Sequence, residues 1–230
     1  GRILWRREAP RPREETLHKA NSPTSASAAS DGKNVFVFFT DFGVLSYGPD
    51  GEERWRVPLG PFNNPMGQSA TPVLAGNILL IPCDQESGSF FIALDKDSGK
   101  VRWRNERPDF SRGFSTPLLY QPKDGGPLQL LLAGSYRLVA YEVETGKEAW
   151  FVRGLTWQLK PTPVMDEENI YVLGWAGEAG PEGEVRYLDT LVAAVERAVR
   201  WLLAAYPNIG ELEPMIERFR GAIALVERAL

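Results

Sequence analysis

Few residues in this chain carry side chains able to do chemistry. The segment Asp95-Lys96-Asp97-Ser98-Gly99 sets two carboxylates one residue apart, the spacing of a calcium loop. Calcium takes about six to eight oxygen ligands, including a terminal bidentate Glu in such a loop. No such Glu or further oxygen ligands follow, so the segment reads as a strand-to-strand turn and no metal is expected. His18 is the only histidine and Cys83 the only cysteine. One imidazole excludes a His-rich zinc site and a relay of several imidazoles. One thiol excludes an internal disulfide. That fits a reducing compartment, or an oxidising one in which the fold needs no staple. Cys83 closes an apolar run and is expected to be half-buried and inert. No nucleophile–base pair, metal cluster or phosphate loop stands at a recognisable spacing. The expectation is therefore no catalytic, cofactor-binding or metal residues, and no enzyme.

Composition agrees with a binding or structural role. The 230 residues are 43% hydrophobic and 24% charged, with a net charge of −4. Lys and Arg are spread among acids, so a nucleic-acid surface is not expected. No run reaches the ~18 apolar residues that a membrane span needs. The longest candidate, Val185 to Tyr206, is broken by Asp189, Glu196, Arg197 and Arg200. The chain opens on Gly1 with no charged segment leading into an apolar one, so any secretory signal would lie upstream.

The elements that must position any site come from a repeat. Gly, three residues, then Trp recurs as Gly1…Trp5, Gly51…Trp55, Gly99…Trp103 and Gly146…Trp150, the tryptophans being 50, 48 and 47 residues apart. Ser/Thr-Pro recurs at Ser22-Pro23, Thr71-Pro72, Thr116-Pro117 and Thr162-Pro163, spaced by 49, 45 and 46. Two independent markers keep one phase, and a period of this size means stacked repeats.

Each period reads as β. Pro72–Ala75 is a short strand opened by a proline, where a missing N–H costs least. Gly76-Asn77 turns the chain, Ile78–Pro82 is a buried-strand run, and Phe90–Asp95 is a third strand. After a Gly-containing turn, Lys100–Arg104 alternates as a fourth strand. Four antiparallel strands in about 45–50 residues match one propeller blade. The expected fold is mainly β: a partial β-propeller with full blades at Ser22–Pro58, Thr71–Glu106 and Thr116–Val152. Two partial blades flank them, Gly1–Arg7 as a lone outer strand and Thr162–Trp175 as two inner strands.

The residues resemble the pyrroloquinoline-quinone-like (PQQ-like) repeat family, of WD40- or quinoprotein-like architecture. Its blade ending is seen as Ala93-Leu94-Asp95-Lys96-Asp97-Ser98-Gly99-Lys100-Val101-Arg102-Trp103 and again as Ala140–Trp150, which ends Thr145-Gly146-Lys147-Glu148-Ala149-Trp150. The stretch from His18-Lys19-Ala20-Asn21-Ser22-Pro23 through Asp31-Gly32-Lys33-Asn34-Val35 is similar to bacterial members. The resemblance covers residues 1 to about 177. It implies a periplasmic or other extracytoplasmic origin and roughly half of a ring. The family holds quinoprotein dehydrogenases and a scaffold of outer-membrane barrel assembly. A dehydrogenase would need a vicinal disulfide, calcium ligands and a catalytic Asp around a complete axis, and one cysteine excludes the disulfide. A non-enzymatic module for binding or scaffolding is the leading expectation. A quinoprotein-type oxidoreductase remnant and an engineered chimera without selected function are the alternatives.

Composition shifts after Trp175. Residues 1–176 are read as the propeller part, 177–183 as a linker, and 184–230 as an α-helical hairpin. Val185, Leu188, Val192, Val195, Val199, Leu202 and Tyr206 recur at helical spacing, as do Leu212, Met215, Ile216, Phe219, Ile223, Val226 and Leu230. The hairpin or the propeller ends are expected to support a homo-oligomer, and Arg2–Arg7 to supply the missing outer strand of the last blade, within one chain or from a partner.

Trp5, Trp55, Trp103 and Trp150, with Gly51, Gly99 and Gly146, are expected to be structural: buried rings packing blade on blade. Any ligand face is expected on the loops that precede each first strand or join the second and third strands. These loops carry Asn63, Asn64, Gln68, Arg112, Trp157, Gln158 and Lys160, with Asp41, Asp84 and Tyr136 beside them.

Overall fold

Proline-opened strands and Gly-containing turns give three four-stranded antiparallel sheets and a two-stranded one. A computed structural model describes residues 1–174. The chain divides after Trp175, and the expected linker and helical hairpin lie outside the described residues. The first sheet holds β1 (Ala29–Ser30), β2 (Val35–Phe39), β3 (Gly43–Tyr47) and β4 (Glu53–Pro58). The second holds β5 (Val73–Ala75), β6 (Ile78–Cys83), β7 (Phe90–Asp95) and β8 (Val101–Glu106). The third holds β9 (Leu118–Tyr120), β10 (Gln129–Gly134), β11 (Arg137–Glu142) and β12 (Glu148–Arg153). Finally β13 (Val164–Met165) pairs with β14 (Ile170–Tyr171). Every pairing joins neighbours in sequence, as short turns between antiparallel strands require.

The strand patterns follow from what each strand touches. β6, β7 and β10 are buried along almost their whole length and read as continuous apolar runs. β4 and β8 face solvent on one side and alternate. Apolar side chains fill the space between successive sheets: Phe36, Phe38 and Val44 meet Leu79, Ile81 and Ile92, and Leu80, Phe91 and Ala93 meet Leu130, Leu132 and Val139. Each sheet carries a register irregularity at one repeat position, between Ser46 and Tyr47, Ala93 and Leu94, and Ala140 and Tyr141. A bulge adds local twist and re-aims the neighbouring side chain. Here it lies beside the residue paired with Trp55, Trp103 or Trp150.

The Asp95 segment is a turn. Asp95 Oδ1 accepts from the Ser98 amide at 2.9 Å and the Ser98 hydroxyl at 2.7 Å. The Gly99 amide donates to the Asp95 carbonyl at 2.8 Å, and Gly99 takes φ +72, which a side chain would resist. The Ser98 hydroxyl, opposed by burial and reinforced by the Ser98 and Asp97 amides, holds the Asp95 carboxyl below its usual range.

Two placements differ from the sequence reading. Thr71, Thr116 and Thr162 stand two residues before their first strands, and by that measure the matching residue of the first sheet is Ser27, not Ser22. The Ser27 amide donates to Thr71 Oγ1 at 3.3 Å and the Thr71 amide to Thr116 Oγ1 at 3.0 Å, a relay from sheet to sheet. Ser22-Pro23 serves elsewhere, with the Pro23 carbonyl accepting from the Thr40 amide at 3.0 Å. Second, Gly1–Arg7 forms no strand ladder among the described residues. It lies on the first sheet, where Trp5 Nε1 donates to the Pro49 carbonyl at 2.9 Å and Arg7 Nε to the Gly51 carbonyl at 2.7 Å. Within this chain it is not the outer strand of β13–β14.

Candidate functional site

The tryptophans and glycines of the repeat act across sheets. Trp55 Nε1 donates to the Lys96 carbonyl at 2.9 Å, and Trp103 Nε1 to the Val143 carbonyl at 3.0 Å. Each ring covers the glycine of the turn it reaches. A Cβ on Gly51 would lie 2.6 Å from Trp5, on Gly99 2.8 Å from Trp55, and on Gly146 2.6 Å from Trp103. Trp150 differs, donating to Gln129 Oε1 of its own sheet at 2.9 Å. Of the four, Trp55 is buried and Trp5, Trp103 and Trp150 are half-buried.

The loop residues divide by environment. Asn63, Lys160 and the half-buried Arg112 and Trp157 lie toward solvent, whereas Asn64, Gln68 and Gln158 are buried. Asn64 Nδ2 and Gln68 Nε2 both donate to the Asp84 carbonyl, at 3.3 and 3.2 Å. Asn63 Nδ2 donates to Ser87 Oγ at 3.1 Å. Arg112 pairs with Glu86 at 2.7 Å and lies 5.2 Å from the Trp157 ring centroid. The Arg112 Nε atom misses hydrogen-bond geometry despite that distance, so the contact is an ion pair rather than an aligned bond. Tyr136 takes φ +65 in the turn between β10 and β11, and its carbonyl accepts from the Gly154 and Leu155 amides, each at 3.2 Å. Asp41 is buried and accepts from Arg11 at 2.7 Å.

The residue that organises this region is one the sequence reading passed over. Arg107 follows β8 and is completely buried. Its Nε and Nη2 donate to the two Asp84 oxygens at 2.7 and 3.0 Å, and its Nη1 donates to the Tyr141 hydroxyl. The guanidinium carbon lies 3.6 Å from the Phe110 ring centroid. Burial alone would loosen the Arg107 proton, but the Asp84 carboxylate and Tyr141 outweigh it and the net direction is upward. Burial also raises the Tyr141 phenol. A bidentate arginine–carboxylate pair of this kind is strong and geometrically specific. The signal was present: Arg107 stands four residues after Trp103, where the first repeat has Leu59 four after Trp55.

Cys83 is fully buried rather than half-buried, since β6 is covered on both faces. Burial, then the Asp84 charge, pushes its thiol well up. Among the described residues no group of three or more His, Cys, Asp or Glu could hold a metal ion. No described helix is long and apolar enough to cross a membrane.

A family model described as outer membrane protein assembly factor BamB matches residues 1–180. No curated protein matches the chain. Among solved structures, BamB from Moraxella catarrhalis is 20% identical with a TM-score of 0.53, over 66% of this chain and 44% of that one. The quinohemoprotein alcohol dehydrogenase ADHIIG from Pseudomonas putida HK5 is 13% identical with a TM-score of 0.43, over 55% of this chain and 26% of that one. The first likeness bears on fold, and the second is too slight to build on. The chain spans less than half the length of the Moraxella protein. Repeat, sheets and family model agree, and the chain belongs to the PQQ-like β-propeller family of the outer membrane protein assembly factor BamB.

Proposed function

We propose that this chain is a non-enzymatic propeller module, a scaffold that binds another protein in outer-membrane protein assembly, in an extracytoplasmic compartment. The BamB family match over residues 1–180 carries this reading. The buried polar groups support it. The Asp84 carboxylate is engaged by Arg107, and the Asn64 and Gln68 amides hold the Asp84 backbone. These groups tie loops together and leave no free base beside a nucleophile. Assembly through the ends of the blade array or through residues 184–230 belongs to the same proposal, since arrays with uncovered ends need a cover. Affinity purification of the tagged chain from solubilised membranes of its host tests the scaffold role. Recovery of an outer-membrane barrel assembly component is expected; a chain found only in the cytosol, without such a component, contradicts it.

A further inference from the structure

The chain contains three Asp-Gly steps, Asp31-Gly32, Asp50-Gly51 and Asp124-Gly125, and no Asn-Gly step. At an Asp-Gly step the backbone can rearrange without an enzyme. The glycine nitrogen attacks the carboxyl carbon of the preceding side chain, and a glycine has no Cβ to shield that nitrogen. The attack needs a protonated carboxyl, whose hydroxyl must leave. It also needs a peptide free to rotate until the nitrogen faces that carbon. All three glycines take positive φ, +88, +75 and +78, so backbone conformation alone does not separate them. Their surroundings do.

Two of the steps are pinned. Asp31 Oδ1 accepts from the Asn34 and Lys33 amides at 2.7 and 3.1 Å, and Oδ2 from Lys96 Nζ and Asn34 Nδ2 at 3.1 and 3.2 Å. The Asn34 amide above all holds this carboxyl well below its usual range, in the unreactive ionised form. The Gly32 amide donates to Ser30 Oγ at 3.1 Å. At the second step the Gly51 amide donates to the Gly48 carbonyl at 3.0 Å. Arg7 donates to the Asp50 and Gly51 carbonyls at 3.2 and 2.7 Å, and Gly51 is buried against the Trp5 ring.

The third step lies in residues 121–128, the loop from β9 to β10, where residues 76–77 suffice between β5 and β6. Asp124 and Gly125 are both exposed, and a Cβ on Gly125 would meet nothing within 4 Å. Their hydrogen bonds stay inside the loop. The Gly125 amide donates to the Pro122 carbonyl at 3.2 Å, and the Gly126 amide to Asp124 Oδ1 at 3.1 Å. This peptide can rotate without breaking a strand pairing, as exposed loop tips allow.

We propose that Asp124-Gly125 is a modification site, converting spontaneously through a succinimide to an isoaspartyl linkage. The Gly125 nitrogen bonds to Asp124 Cγ, and the amide proton and carboxyl hydroxyl leave as water. Water then adds at the Asp124 main-chain carbonyl carbon, and the original peptide C–N bond breaks. The chain now runs through Cγ, the α-carboxylate is free, and mass and charge are unchanged. No oxidant, reductant or cofactor enters. The inference does not rest on the scaffold reading.

The test holds the full chain folded in mildly acidic buffer at physiological temperature for several weeks, beside a sample in urea. Both are then cut with a protease that cleaves before aspartate but not before isoaspartate, and the peptides are followed by mass spectrometry. In the folded sample, conversion at Asp124 is expected to be about tenfold or more faster than at Asp31 or Asp50, where more hydrogen bonds must break before the ring closes. In urea the three rates should converge. Asp124→Glu changes an exposed residue and disfavours the five-membered ring, so the signal at that position should vanish. Equal rates at the three steps of the folded chain, faster conversion at Asp31 or Asp50, or no conversion at Asp124 would overturn the proposal. A gap as wide in urea as in the fold would remove its structural basis.

Discussion

The indole of Trp55 lies on Gly99 of the next blade, close enough that a Cβ there would come within 2.8 Å of the ring, while Nε1 holds the Lys96 carbonyl at 2.9 Å. One residue type thus supplies both apolar cover and a polar anchor to the neighbouring turn. Gly99→Ala is expected to destabilise the protein by a backbone cost of about 1–2 kcal/mol plus overpacking of about 1–3 kcal/mol. Gly76, at φ +59 with nothing within 4 Å of a built Cβ, is the control. Gly76→Ala should show only the backbone part. Urea unfolding of both variants checks this, and equal losses would remove the indole from the explanation.

Arg107 is a buried charge held by Asp84. Removing one partner of such a pair leaves the other uncompensated and costs about 3–5 kcal/mol. Arg107→Leu should therefore lower the unfolding midpoint strongly. Adding Asp84→Asn should recover part of the loss, because the stranded carboxylate is then gone. A double variant no more stable than the single one would argue against the pair as the source.

Cys83 should resist thiol reagents in the folded protein. It is fully buried, and burial together with the Asp84 charge disfavours the thiolate, the reactive form. Labelling should be slow in native buffer and fast in denaturant. Rapid stoichiometric labelling of folded protein would contradict the packing of β6.

Acid should weaken the turns. The Asn34 amide, followed by opposing burial and the Lys96 ammonium, holds the Asp31 carboxyl well below its usual range. Tyr171 first, then the Glu168 and Asn169 amides, lower Asp166 to about 2. A depressed carboxyl contributes stability that is present above its unfolded pKa of about 3.9 and is lost as pH falls toward the folded value. Asp31→Asn should be less stable than the parent near neutrality, and the two should converge below about pH 4. A gap that stays constant across that range would show the carboxylate charge to be irrelevant.

Much of the fold was legible because the markers are local. Gly99 and Trp103 fix a turn and the strand after it, and continuous apolar runs at Ile78 and Phe90 fix strands buried on both faces. Ser22-Pro23 misled because a motif match carries no register; only the pairing of Ala29 with Phe36 shows that Ser27 holds the equivalent place. The site was less legible. Asn64 and Gln68 look like free polar loop residues in sequence, yet both are buried on the Asp84 carbonyl. Arg107 was overlooked because a charged residue at a strand end reads as solvated. Its partners, Asp84 and Tyr141, lie 23 and 34 residues away in sequence.

The central claim is that these blades form a binding module with no redox site. The most direct measurement is to incubate the purified chain with pyrroloquinoline quinone and calcium, remove free cofactor, and record the absorption spectrum with a dye-linked alcohol dehydrogenase assay. The account predicts no retained chromophore and no dye reduction above buffer. A stoichiometric quinone spectrum with alcohol-dependent dye reduction would contradict it.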